Sequence, residues 1–113
     1  MITLWHNPRC SKSRQALALL QEAGADVALR LYLKDAPSLA ELETLHKALN
    51  IPVIKMMRTG EKTFKEAGLG KDADVADLLA AMVAHPILIE RPIAVEGDKA
   101  VIARPPENAL NLL

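Results

Sequence analysis

"MITLWHNPRCSKSRQALALLQEAGADVALRLYL", residues 1–33, alternates in a way that decides the architecture. "MITLW" is a compact apolar run with β-branched and aromatic residues, ended by Asn7 and Pro8, and reads as a short buried strand. From Ser11 or Lys12 to Ala23, the residues Ala16, Leu17, Leu19, Leu20 and Ala23 recur at helical spacing, and Gly24 supplies a carboxy-terminal stop. "DVALRLYL", residues 26–33, alternates like a second strand. Strand, helix and strand within about 30 residues form a βαβ unit, whose crossover makes the two strands parallel and right-handed.

The remainder predicts helices and then strands. Ser38 caps "LAELETLHKAL", residues 39–49, which is helical in period and stops near Pro52. Residues 53–58 predict a short helix, residues 59–73 a loop or a loop with one helical turn, and Asp74 to Ala84 a clearer helix. After Pro86 come three short strand candidates, "ILI" (87–89), "PIAVE" (92–96) and "KAVIA" (99–103). Gly97–Asp98 between the last two suits a type II′ hairpin. A closing helix starts near Pro105 or Pro106, because proline tolerates the first turn. The whole predicts one α/β domain over residues 1–113, a mixed sheet with a helical insertion between a βαβ part and a ββα part.

Fourteen basic residues balance fourteen acidic ones, so net charge offers no general attraction for nucleic acid or an anionic membrane. No basic leader precedes an apolar run, and no stretch of about 18 apolar residues occurs, so a soluble cytoplasmic protein is expected. Neutral charge and the lack of a heptad repeat suggest a monomer. One cysteine closes no intramolecular disulfide and completes no zinc-type pair, so no metal site is expected.

That cysteine, Cys10, precedes the first helix and is crowded by Arg9, Lys12 and Arg14. A thiol becomes reactive as a thiolate, and helix amino termini and nearby cations favour that form. The same free N–H groups attract oxyanions. The competing reading is an inert buried cysteine, but Asn7, Pro8, Arg9 and Ser11 mark a strand-to-helix turn rather than an apolar stripe.

"HNPRCSKSR" (6–14) resembles the amino-terminal signature of the glutaredoxin-dependent arsenate reductase family, and "LYL" (31–33), "HPILIERPI" (85–93) and "ARPPE" (103–107) match later family segments in order. The resemblance covers essentially the whole chain. It implies a thioredoxin-like fold with a helical insertion and a cis peptide at Arg91–Pro92. It places the catalytic cysteine on Cys10, oxyanion-binding arginines on Arg58, Arg91 and Arg104, and a histidine supporting the thiolate on His6. Planar guanidinium groups suit a tetrahedral oxyanion, which presents oxygen pairs to two parallel donors. Asn7, Ser13 and Arg14 are candidates for supporting the thiolate or the oxyanion, and Ser13 can cap the helix or hydrogen-bond the thiolate. Ser13 cannot act as a resolving thiol. His46 and His85 have structural explanations and are assigned no chemistry.

Reducing arsenate takes two electrons, more than one thiol supplies, so an external reductant is required. In the family this is glutathione as co-substrate, followed by glutaredoxin, with no bound cofactor. Ser11 and Lys12 after the cysteine, and Arg9 before it, resemble a less characterised branch of the family and leave another oxyanion or an acidic protein partner open. Two alternatives stand beside this reading. One is a thiol oxidoreductase acting on glutathionylated proteins; the other is a non-enzymatic regulator binding RNA polymerase, which commonly carries the CxxC switch absent here.

Overall fold

A computed structural model describes residues 1–70 and 72–113. Four strands make one mixed sheet in the order β2-β1-β3-β4, with β1 at Ile2–Trp5, β2 at Val27–Arg30, β3 at Ile93–Glu96 and β4 at Lys99–Ile102. The β1 and β2 strands are parallel, joined through helix α1 (Ser11–Glu22), whereas β3 runs antiparallel to both β1 and β4. This is the expected βαβ start and ββ return. Between them lie α2 (Leu39–Leu49), a 3-10 turn at Val53–Met56, α3 (Lys62–Glu66), α4 (Val75–Ala84) and a second 3-10 turn at Pro86–Leu88. A 3-10 helix, Pro106–Leu112, closes the chain. No helix among the described residues is long and apolar enough to cross a membrane.

The two-residue side-chain period of the strands builds two cores. Ile2 and Leu4 of β1 and Ala94 of β3 face α1 and the closing helix, where they meet Ala16, Leu20 and Ala109. Trp5 and Ile93 face the other way, against Leu42, Leu45, Met82 and Leu88 of the insertion. Burying a leucine or isoleucine fully, as at Leu4, Leu20 and Ile93, contributes about 2 kcal/mol each. Covered on both faces, β1 carries few polar residues, as its reading as a buried strand requires.

Local signals set the helix ends. The α1 helix stops in a Schellman arrangement: Gly24, at φ +80°, donates to the Gln21 carbonyl at 3.0 Å, and the Ala25 N–H reaches the Leu20 carbonyl at 3.0 Å. The α2 helix starts in a capping box of Ser38 and Glu41. Glu41 also pairs with Arg30, whose guanidinium lies 5.3 Å from the Trp5 ring. The hydrogen bond from Arg30, and then that from the Ser38 N–H, hold the Glu41 carboxyl down to about 2. Gly97, at φ +61°, followed by an Asp98 of negative φ, forms the expected type II′ turn between the Glu96–Lys99 pair.

Two expectations need correction. "ILI" is not a strand: Pro86–Leu88 is a 3-10 turn, and only Ile89 makes a bridge, to Met57. A short buried apolar run does not distinguish strand from turn, and Pro86 at the start of the segment favours the turn. The second strand ends at Arg30, because the Leu31 carbonyl accepts the N–H groups of Lys34 (2.9 Å) and Asp35 (2.8 Å) and turns "LYL" out of the sheet. The stretch 59–73 takes the second of its two expected forms, a loop with a helical turn: that turn is α3, with Phe64 buried in the core. At Lys71 that reading lies outside the described residues.

Candidate functional site

Sheet topology gathers the site at one end. Trp5 closes β1 opposite Ile93, the first residue of β3, so the turn after β1 and the segment before β3 meet there. Ile102, the last residue of β4, pairs with Ile93, and the Ala103 N–H donates to the Pro92 carbonyl at 2.9 Å. Cys10, Arg91 and Arg104 therefore converge on the same edge from three separate parts of the chain. Arg58 is brought in by the Met57–Ile89 bridge, with its N–H on the Leu88 carbonyl (2.8 Å) and the Glu90 N–H on the Met56 carbonyl (2.9 Å). Cis peptides occur at Arg91–Pro92, as the resemblance implied, and at Arg104–Pro105, which sequence reasoning did not anticipate.

Cys10 is itself the N-cap of α1 and is 9% exposed. Its N–H donates to the Asn7 carbonyl at 3.0 Å, and the amide ends of the α1 turn lie beside it. The turn that presents it is tied at several points. Asn7 Oδ1 accepts the Arg9 N–H at 3.0 Å, and Arg14 Nη1 donates to the Pro8 carbonyl at 2.8 Å. Arg14 thus clamps the Cys10 turn from outside.

Ser13 does not cap the helix. It is wholly buried, and its Oγ accepts the Asn7 N–H at 3.0 Å while sharing a 2.6 Å hydrogen bond with His6 Nδ1. Burial first, and then the positive charge of Arg14, push the His6 imidazole below its ordinary value of 6.5. His6 is therefore neutral at pH 7 and acts on the turn through Ser13 rather than as a cation beside the thiol. Ser13→Ala would leave the Asn7 N–H and His6 Nδ1 without their partner, and is expected to cost about 2 kcal/mol in urea unfolding. An unchanged unfolding midpoint would show that the hydroxyl does not anchor the turn. Because the folded chain disfavours imidazolium, the stabilising share of His6 is present above pH 6.5 and declines as pH falls below it.

The arginines differ in what they already hold. Arg58 is ion-paired with Glu61. Arg104 donates to the Arg91 carbonyl at 3.1 Å and lies 3.9 Å from Glu90 Oε1. Arg91 is the most buried of the three, with a side chain 14% exposed, and its Nε and Nη1 are sealed from solvent without a hydrogen-bond partner among the described residues. Buried guanidinium donors are costly to leave unmet. Met57, Arg58, Thr59, Gly60, Glu61, Glu90 and Arg104 line a cavity of about 410 Å³, and neither Arg91 nor Cys10 is among its lining residues.

Two residues of this cluster were not assigned from sequence. Glu90 stands among the arginines, half-buried, with Oε1 accepting the Arg91 N–H at 3.2 Å. Its signal was a lone acid that follows the apolar run "PILI" and directly precedes Arg91 in "HPILIERPI". Tyr32, 1% exposed, stacks on Trp5 with ring centroids 6.4 Å apart. Burial raises its phenol above the ordinary value; the Arg58 charge opposes this, and those of Cys10 and Glu90 add to it. One buried ring thus lies within electrostatic reach of the thiol, an arginine and the acid. No group of three His, Cys, Asp or Glu side chains among the described residues is placed to hold a metal ion.

The chain matches known proteins along nearly its full length. An arsenate reductase of Haemophilus influenzae is 44% identical over 114 residues, covering 99% of this chain and 98% of that protein. One from Rhizobium meliloti is 40% identical, over 99% of this chain and 81% of its own. The solved structure of an arsenate reductase from Vibrio cholerae superposes with a TM-score of 0.95 at 43% identity, covering 99% of this chain and 97% of that one. Residues 5–112, which include the Cys10 turn and all three arginines, match the model of the ArsC family, and the chain belongs to that family.

Proposed function

We propose that this protein reduces arsenate to arsenite through a covalent adduct on Cys10, with glutathione and then glutaredoxin as reductant. The observation that carries this reading is the pair of buried Arg91 donors, Nε and Nη1, without a partner among the described residues; Glu90 and Arg104, which bond to the Arg91 backbone, line a cavity together with Arg58. Unmet guanidinium donors suit the oxygens of an oxyanion. The relatives named arsenate reductase favour arsenic as the central atom.

The chemistry follows from one thiol and an oxyanion clamp. Cys10 sulfur attacks arsenic, forming an S–As bond as one oxygen leaves as water, while Arg58, Arg91 and Arg104 offset charge on the remaining oxygens. Arsenic is still pentavalent at this point. A glutathione thiolate then attacks Cys10 Sγ, forming an S–S bond. The S–As bond breaks with its electron pair left on arsenic, which departs as arsenite. Glutaredoxin reduces the mixed disulfide and restores the thiol. Ser13, with a hydroxyl already engaged by His6 and Asn7, offers no internal route to resolve that disulfide.

The test is oxidation of NADPH in a mixture of arsenate, glutathione, glutaredoxin and glutathione reductase. Turnover is expected to require arsenate and to collapse when either glutathione or glutaredoxin is omitted. Undiminished turnover without them refutes the assigned reductant, and no arsenate-dependent turnover refutes the activity.

A further inference from the structure

Glu90 is a carboxylate placed where an anion is meant to bind. Its Oε1 lies 3.9 Å from both Arg91 Nη1 and Arg104 Nη1, beyond hydrogen-bond length, so neither guanidinium is committed to it. That oxygen is held instead by the Arg91 backbone N–H at 3.2 Å, and no hydrogen bond to Oε2 is made by the described residues. Glu90 also lines the cavity with Arg58 and Arg104. The three arginines are thus offset by two carboxylates, Glu61 on Arg58 and Glu90 between Arg91 and Arg104. A dianion and a thiolate added to that balance leave the site strongly negative, unless one carboxylate takes up a proton.

Of the two, Glu90 is the one suited to do so. Burial, the largest influence on it, pushes its carboxyl above the ordinary range, against the opposing pull of Arg104 and Arg58. The groups facing it are Arg58 before α3, Arg91 beside it, Arg104 after β4 and Tyr32 from the turn after β2; Tyr32 also feels the charge of Cys10. None of the others is as ready a proton source. Tyr32 is a weaker acid than an ordinary phenol, and His6 is neutral and engaged by Ser13.

Resting on the arsenate reading, we propose that Glu90 is the proton-carrying catalytic residue: it is protonated as the oxyanion enters between the arginines, and gives that proton to the oxygen leaving arsenic. The step balances. Thiolate, hydrogen arsenate dianion and protonated Glu90 give the S–As adduct as a dianion, water and ionised Glu90; one S–As bond forms, one As–O bond breaks, and no electron is transferred. The ionised carboxylate also repels a second dianion until the adduct has been cleared.

Glu90→Gln tests the role, because the amide keeps a carbonyl for the Arg91 N–H but stays neutral at every pH. Ionised Glu90 repels the substrate in the wild type, so the arsenate KM at pH 8 is expected to fall roughly tenfold in the variant and to lose its rise with pH. The kcat is expected to fall on the order of 10²-fold for want of the acid. A raised KM with unchanged kcat is the signature of a merely structural residue and overturns the proposal. Calorimetry of arsenate binding in buffers of different ionisation enthalpy, with Cys10→Ser in both chains so that heat reports binding alone, gives the second reading. About one proton fewer is expected to be taken up per arsenate bound when Glu90 is Gln. Equal proton counts overturn the role of Glu90 while leaving the arsenate reaction intact; no arsenate binding or turnover in any chain overturns both.

Discussion

Cys10→Ser is expected to lower arsenate turnover by roughly 10⁴-fold or more, to the background of the assay. Oxygen replaces sulfur at nearly the same volume, at the N-cap of α1, a position where serine is among the preferred residues. The fold and the arginine cluster are therefore expected to survive, and arsenate should still bind. What is lost is the nucleophile, since a hydroxyl is far less ionised than a thiol at neutral pH and forms no disulfide with glutathione. The pairing of abolished turnover with retained arsenate binding by calorimetry is the result that identifies Cys10 as the reacting group. Residual turnover above a tenth of the wild type would place the chemistry elsewhere.

The second large effect is expected at Arg91. Arg91→Ala removes both buried unpartnered donors, and a loss of kcat/KM on the order of 10³-fold follows, as for removal of a donor aimed at developing oxyanion charge. Arg91→Lys should recover little of it, because a single ammonium on a flexible stem cannot supply donors at both the Nε and the Nη1 positions. Stability should move the other way. In the unliganded protein the Arg91 side chain is buried with its donors unmet, so Arg91→Ala is expected to leave thermal unfolding unchanged or to raise it. A variant with wild-type kcat/KM would remove Arg91 from the oxyanion site, whatever its effect on folding. Activity lost in step with a large loss of stability would make Arg91 a structural residue.

The parts of the fold legible in the sequence were those set by neighbours along the chain. Helical spacing from Ala16 to Leu20 with the Gly24 stop, the Ser38 cap, and the Gly97–Asp98 turn each depend on residues within a few positions of one another. The same holds for the end of "MITLW" at Asn7 and Pro8, which puts Cys10 at the start of α1. "ILI" was misread because an apolar run reports burial, and burial between α4 and Met57 needs no strand partner. The second strand was read too long because the turn that ends it is made by backbone bonds to Leu31, without the glycine or proline that would have announced it.

The site divides along the same line. Sequence alone determined a βαβ start, a hairpin return and a single thiol at a helix amino terminus, since backbone propensity, capping and side-chain periodicity are short-range properties. Only the tertiary structure decided what the remaining polar residues do. Register across β1, β3 and β4 brings Arg91 and Arg104 to the Cys10 end, and packing buries Arg91 with two of its donors unmet. The same packing turns Ser13 inward to His6 and sets Glu90 between two guanidinium groups. Charge and hydrogen bonding act through space, so the meaning of an arginine or a glutamate depends on which distant residues the folded chain places within a few ångströms of it.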